Sequence, residues 1–421
     1  MSLNKEVDVL VIGAGPSGTI AASIMHRSGI SVQIVEKTLF PRFVIGESFL
    51  PRCMEAMKEA DFIDAIEAKH FQRKDGAKFV MGDHICDFNF DKQYTPGWGH
   101  TWQVPRAEFD KVLADECERK GISVQYETEV INIQIFDDHS LTTVKMKDGS
   151  LETIKARFIV DGSGYGRVIP RLFGLDKPSN QPVRRAMFCH LTDEKRSDAY
   201  EPNRIIICVH NPKTWIWVIP FSNENTSVGY VGDPEFFDQY TGTSEEKFRK
   251  LLADQPILAD RFKDTTLVWN EPRTLQSWSS TTDTFYGKGF VLTGNVTEFL
   301  DPIFSSGVTL ASVSAQTAAN LVIKHLKGEE VNWENGYADF MRRGIDVFRT
   351  YVNAWYNGDL FNIFFTEEPD PDNKSKICSI LAGYVWDLSN PFVRNHEKNL
   401  RTLSRYMHAV SERKHAINAK N

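Results

Sequence analysis

The feature that most constrains this chain is its start. Val7-Asp8-Val9-Leu10-Val11-Ile12 is a short β-branched and apolar run that stops at Gly13-Ala14-Gly15-Pro16-Ser17-Gly18, a G-x-G-x-x-G. A second apolar run, Val32-Gln33-Ile34-Val35, ends on Glu36, 23 positions after Gly13. Strand, glycine turn, helix, strand and carboxylate in that order form the layout that grips the ADP half of a dinucleotide. Gly13 allows the tight turn. Gly15 lets the backbone approach a pyrophosphate, and Gly18 lets the helix from Thr19 to Arg27 pack close to the sheet. That helix offers free N–H groups and a partial positive charge to the phosphates. Glu36 is placed to accept hydrogen bonds from the adenosine ribose hydroxyls.

The remaining composition narrows the class. A chain of 421 residues exceeds one ordinary core, so two or three domains are expected. The net charge is −7 and there is no basic stripe, which argues against nucleic acid as a partner. Six cysteines are scattered without a C-x-x-C pair, as suits reduced thiols in a cytoplasmic protein rather than a disulfide framework or a zinc site. The histidines show no metal spacing. No apolar run approaches the roughly 18 residues of a membrane span, and the chain enters a strand almost at once, without a signal-peptide pattern.

Along the chain, strand-then-glycine segments recur at 7–18, 158–166 and 290–294. Long antiparallel strand patterns lie between them from Arg184 to Tyr230. Helices are predicted over Cys53–Glu67, Glu108–Lys120 and Val308–Lys324, and again beyond Trp333, with the polar tail from Ser411 fraying. The economical reading is an α/β chain. Its discontinuous Rossmann-like dinucleotide-binding domain comprises 1–75, 100–180 and 282–330. An antiparallel-sheet substrate domain (76–99 and 181–281) is inserted in it, and a helical C-terminal region covers 331–421.

Gly13 to Gly18, Glu36, Arg106 within Val104-Pro105-Arg106-Ala107-Glu108-Phe109-Asp110, Asp161-Gly162 and the strand ending at Gly294 carry a resemblance. In order, they are similar to the landmarks of the FAD-binding fold shared by aromatic hydroxylases, geranylgeranyl reductases and flavin-dependent halogenases. Three segments resemble the halogenase branch. Phe40-Pro41-Arg42-Phe43-Val44-Ile45-Gly46-Glu47-Ser48-Phe49-Leu50-Pro51 looks like its P-R-x-H-I-G-E-S-L-L-P stretch. Trp215-Ile216-Trp217-Val218-Ile219-Pro220 fits its W-x-W-x-I-P. Phe299-Leu300-Asp301-Pro302-Ile303-Phe304-Ser305-Ser306-Gly307-Val308 fits its F-x-D-P-x-F-S-S-G-V.

The resemblance implies tightly but non-covalently bound FAD, with the Pro302–Gly307 turn beside the isoalloxazine and its N–H groups able to hold a halide. It implies cofactor contacts from Gly13, Gly15, Pro16, Ser17, Gly18, Glu36, Lys37, Arg42, Glu47, Ser48, Arg106, Asp161, Gly162, Gly294, Asn295, Pro302, Gly307 and Val308. Lys74 falls where such enzymes carry an essential lysine. Lys74, Trp215, Trp217, Ser305, Ser306 and Gly307 are therefore the expected reaction-side residues. In that chemistry reduced FAD, dioxygen and halide yield hypohalous acid. Two indoles keep an electron-rich aromatic substrate off the flavin, and the lysine hands the halogen over. Electrons arrive from a separate flavin reductase or from transiently docked NAD(P)H.

Plainer readings stand beside these. Lys74 lies between Arg73 and Asp75, the pattern of a solvated surface run. Trp215 and Trp217 alternate on one strand face, as core aromatics do. Ser305 and Ser306 are placed to cap the helix that follows, and Asp301 to shape a turn. Val44 replaces the branch's histidine and Asn295 its aspartate, an amide that still hydrogen-bonds but carries no charge. A reductase of the geranylgeranyl type and an aromatic hydroxylase (monooxygenase) are the alternative activities.

Overall fold

The computed structural model describes residues 3–179, 181–196 and 201–418. Two compact units emerge. One comprises Met1–His70, Val104–Asn180 and Ser279–Ile345, and the other Phe71–Gln103, Gln181–Trp278 and Asp346–Asn421.

The first unit is built on a largely parallel sheet. Its strands run in the order Tyr286–Gly287, Phe290–Leu292, Leu151–Asp161, Leu3–Ile12, Val32–Val35 and Ser123–Gln125. Val9, Leu10 and Val11 have no exposed surface, as expected of strands covered on both faces. The register levels the strand ends: Ile12 pairs with both Val35 and Asp161, and Asp161 with Leu292. Gly13, Glu36, Gly162 and Thr293 therefore emerge together at the carboxyl edge of the sheet, where open α/β sheets bind ligands. The Pro16–Arg27 helix packs against the long Ser306–Leu326 helix. The single helix expected over Cys53–Glu67 is two, Cys53–Glu59 and Ile63–Glu67, because Asp61 adopts a left-handed φ of 59° and breaks the ladder.

The second unit holds a seven-stranded sheet in the order Arg273–Gln276, Arg185–Thr192, Asn225–Gly232, Thr214–Pro220, Ile205–Asn211, Gly76–Met81 and His84–Asn89. Side chains alternate across it. Ile216, Val218, Cys208 and Val80 join Phe237, Phe248, Leu251 and Leu258 in one core, which packs the sheet on short helices. On the other face Phe79 meets Trp355 and Phe364, at ring separations of 5.8 and 4.8 Å. A two-stranded ribbon pairs Gln72–Lys74 with Thr101–Gln103. The last helix runs His396–Asn418, so the chain does not fray at Ser411, and residues 419–421 lie outside the described part. All six cysteines are buried and free, and burial pushes the Cys117 and Cys208 thiols up to about 12. Among the described residues no helix is long and apolar enough to cross a membrane.

Candidate functional site

At the carboxyl edge of the parallel sheet three glycines touch one another. A Cβ on Gly18 would stand 1.9 Å from the Gly13 carbonyl oxygen. One on Gly13 would stand 2.7 Å from the Gly162 oxygen, and one on Gly162 3.0 Å from the Gly18 nitrogen. Gly13 also has φ of 95°, open only to glycine at little cost. Gly15 differs. A Cβ there would meet nothing nearer than Arg42 Nη2 at 3.5 Å, so its space is free of protein except for a guanidinium. Gly15 is the N-cap of the Pro16–Arg27 helix and provides no side-chain acceptor for its first turn.

Two guanidiniums stand beside this turn. Asp110 accepts Arg106 Nε and Nη2 at 2.8 and 3.0 Å and Arg42 Nη1 at 3.2 Å, so one carboxylate faces two guanidiniums. Arg106 Nη1 also donates to the Ile45 and Gly46 carbonyls. A guanidinium beside an uncapped helix start over a bare glycine fits the pyrophosphate of FAD.

Several expected cofactor residues brace the turn. Glu36 accepts Ala14 N–H at 2.9 Å and both Thr38 N–H and Oγ1, at 2.9 and 2.7 Å. A carboxylate has about four acceptor sites, so room for one ribose hydroxyl is left. Asp161 is fully buried and accepts Ser163 N–H and Ile169 N–H. Burial pushes its carboxyl up, against those donors and Arg167. Ser17 Oγ donates to Thr293 Oγ1 at 2.8 Å. Gly294, with φ of 61°, donates its N–H to Ser314 Oγ. Glu47 and Ser48 are buried, and the Glu47 carbonyl accepts Val104 N–H. Lys37 is exposed and paired with Glu129.

In the Pro302–Gly307 turn, Asp301 accepts Ile303 N–H as its sequence suggested. Ser305 adopts a left-handed conformation and its side chain makes no capping bond, so the long helix begins uncapped. Ser306 and Val308 are buried, and Gly307 is half-buried.

One residue escaped the sequence. Arg167 donates to Asp176, Ser280 Oγ and the carbonyls of Thr281, Asn295 and Val296, and so fastens the Gly162–Gly166 segment to the Gly294–Val296 turn. Its signal was a lone arginine closing a glycine-rich run.

The second unit carries three of the reaction-side candidates, Lys74, Trp215 and Trp217, while Ser305, Ser306 and Gly307 belong to the first. Lys74 is 2% exposed, with Nζ 5.6 Å from the Phe90 ring centroid, so its charged flanks misled. Its neighbour Asp75 pairs at 2.8 Å with Arg204, which has no exposed side-chain surface and also binds Asp87. Trp215 and Trp217 share one face with ring centroids 6.0 Å apart. Their indole N–H groups donate to Tyr356 Oη and Ser227 Oγ, at 2.9 and 3.0 Å. A Cβ on Gly229 would lie 2.2 Å from the Trp217 ring, so this glycine is what lets the indole lie across the neighbouring strand.

A family model for the FAD binding domain matches residues 6–333. The chain belongs to that family. A solved flavoprotein/dehydrogenase from Cytophaga hutchinsonii is 56% identical with a TM-score of 0.95, over 97% of this chain and 100% of that one. The 1H-pyrrole-2-carbonyl peptidyl-carrier-protein chlorinase of Pseudomonas fluorescens is 28% identical over 91% of this chain and 90% of its own length. The tryptophan 2-halogenase of Chondromyces crocatus is 30% identical over 78% of this chain, which spans 63% of that relative's length. The protein is thus an FAD-dependent oxidoreductase similar to flavin-dependent halogenases, with the mixed α/β fold expected from its sequence.

Proposed function

We propose that this flavoenzyme halogenates an electron-rich small aromatic, a phenol or a pyrrole. The observation that carries the reading is the burial of Lys74. A lysine between an arginine and an aspartate ordinarily stands in water, and one enclosed instead presents its amine to the protein interior, where it is available to a bound reactant. Bound FAD, once reduced, supplies the activation of dioxygen. The chain's own residues do the rest. Backbone N–H groups at the uncapped start Ser305-Ser306-Gly307 hold the halide. Gly13, Gly15, Pro16, Ser17, Gly18, Glu36, Arg42, Arg106, Asp161 and Gly162 hold the dinucleotide end, and Gly294, Asn295, Pro302 and Val308 the flavin end. Trp215 and Trp217 wall the aromatic substrate off, and Lys74 Nζ receives the hypohalous acid and directs halogen to carbon. The same reading places the enzyme in the cytoplasm and takes its electrons from a separate flavin reductase or from NAD(P)H.

The test supplies reduced FAD, dioxygen and bromide with a panel of phenols and pyrroles and reads products by mass spectrometry. A bromine doublet is expected. Bromine-free hydroxylated products would instead indicate a monooxygenase, and anaerobic saturation of a prenyl double bond a reductase.

A further inference from the structure

Tyr165 lies in the glycine-rich segment that follows Asp161. The residue is 46% exposed although the segment around it is tied down on both sides. Asp161 accepts Ser163 N–H, and Arg167 clamps the Asn295 and Val296 carbonyls. The Tyr165 ring stands edge-on to Phe299, with centroids 5.5 Å apart at 63°. Phe299 in turn lies over the start of the long helix, its Cε2 3.1 Å from where a Cβ on Gly307 would be. Burial pushes the Tyr165 hydroxyl above its ordinary value, with Arg106 pulling the other way. Tyr165, Phe299 and Gly307 thus form one contiguous run leading to the Pro302–Gly307 turn, with the Arg106 charge close enough to act on the phenol. Arg106 is itself held on the Ile45 and Gly46 carbonyls.

We propose that Tyr165 is a flavin-contacting residue, its phenol flanking the isoalloxazine of bound FAD beside Phe299. This rests on the reading that the ring lies next to the Pro302–Gly307 turn. Aromatic faces and edges at such separations pack favourably, so the contact both holds the ring and tunes it. A phenol in that position gives one electron to the photoexcited ring and regains it, with no net chemistry. Bound flavin is therefore dark. Phenylalanine has the shape but not the electron, whereas tryptophan has both.

The experiment uses the full chain saturated with FAD, measuring emission yield, lifetime and visible absorption of the bound flavin together with FAD affinity. Y165F is expected to bind FAD with little change yet to emit severalfold more strongly, and Y165W to stay as dark as the parent. Y165L is expected to shift the flavin absorption bands and weaken FAD binding. Unchanged emission in fully loaded Y165F, with unshifted bands in Y165L, overturns the inference while leaving FAD binding intact. A chain that takes up no FAD in either form overturns the cofactor assignment itself, and this inference with it.

Discussion

The two units place function in the chain by opposite means. In the first, backbone does the work: three mutually touching glycines, level strand ends and two uncapped helix starts make the site, and side chains brace it. In the second, the proposed chemistry falls to side chains: a buried lysine, two buried indoles and an enclosed arginine rest on a largely antiparallel sheet. A backbone-made site tolerates almost no added atom, whereas a side-chain-made site tolerates substitution in the fold but loses chemistry.

That contrast breaks most sharply at Gly18. Alanine there puts a methyl 1.9 Å from a backbone oxygen that cannot swing aside. The expected cost is on the order of 4 kcal/mol or more, seen as loss of soluble protein or of all FAD uptake. Gly15→Ala, with only a guanidinium at 3.5 Å, is expected to fold normally and to bind FAD weakly. Equal behaviour of the two variants in thermal melts and FAD titration would erase the distinction.

Arg167→Met comes next. It strands several buried carbonyls, each worth about 1–3 kcal/mol, and is expected to weaken FAD binding at least about tenfold with a lowered Tm. In the other unit, Gly229→Ala forces the Trp217 indole off its strand at a cost of about 2 kcal/mol. A changed near-UV circular dichroism with FAD affinity kept is the expected signature. An unaltered spectrum would mean that the indole has another place to lie.

The smallest effect is a pH dependence. Burial raises the Asp193 carboxyl, but donors from Arg261 and Thr226, with Arg196 nearby, prevail and hold it below its ordinary value. A depressed carboxyl stabilises the fold above the unfolded value of about 3.9 and loses that contribution as pH falls through the folded value. Tm should therefore decline below about pH 4, and more shallowly in Arg261→Met.

The same contrast explains what the sequence allowed to be read. The glycine turn, Glu36 and the strand ending at Asp161 were legible because backbone-made sites require fixed residue types at fixed spacing. Lys74 was not legible from its flanks. Asp75 and Arg73 reported local polarity, while the burial came from pairing with Thr101 and from Arg204, 129 residues away, taking up Asp75. Arg167 was missed for a related reason, and the proposed role of Tyr165 had no sequence signal either. Their partners Asn295 and Phe299 are remote in the chain and carry no spacing signal. Asp61 broke a helix that its apolar periodicity favoured, because a left-handed residue leaves no mark in such a pattern.

The most direct test of the central claim compares the parent with Lys74→Met at equal FAD occupancy. Each is given reduced FAD, dioxygen, bromide and the best phenol from the panel. A brominated product is expected from the parent and its loss in the variant, with flavin reoxidation by dioxygen unchanged. Undiminished bromination by Lys74→Met, or oxygenated product without bromine from the parent across the whole panel, contradicts that claim.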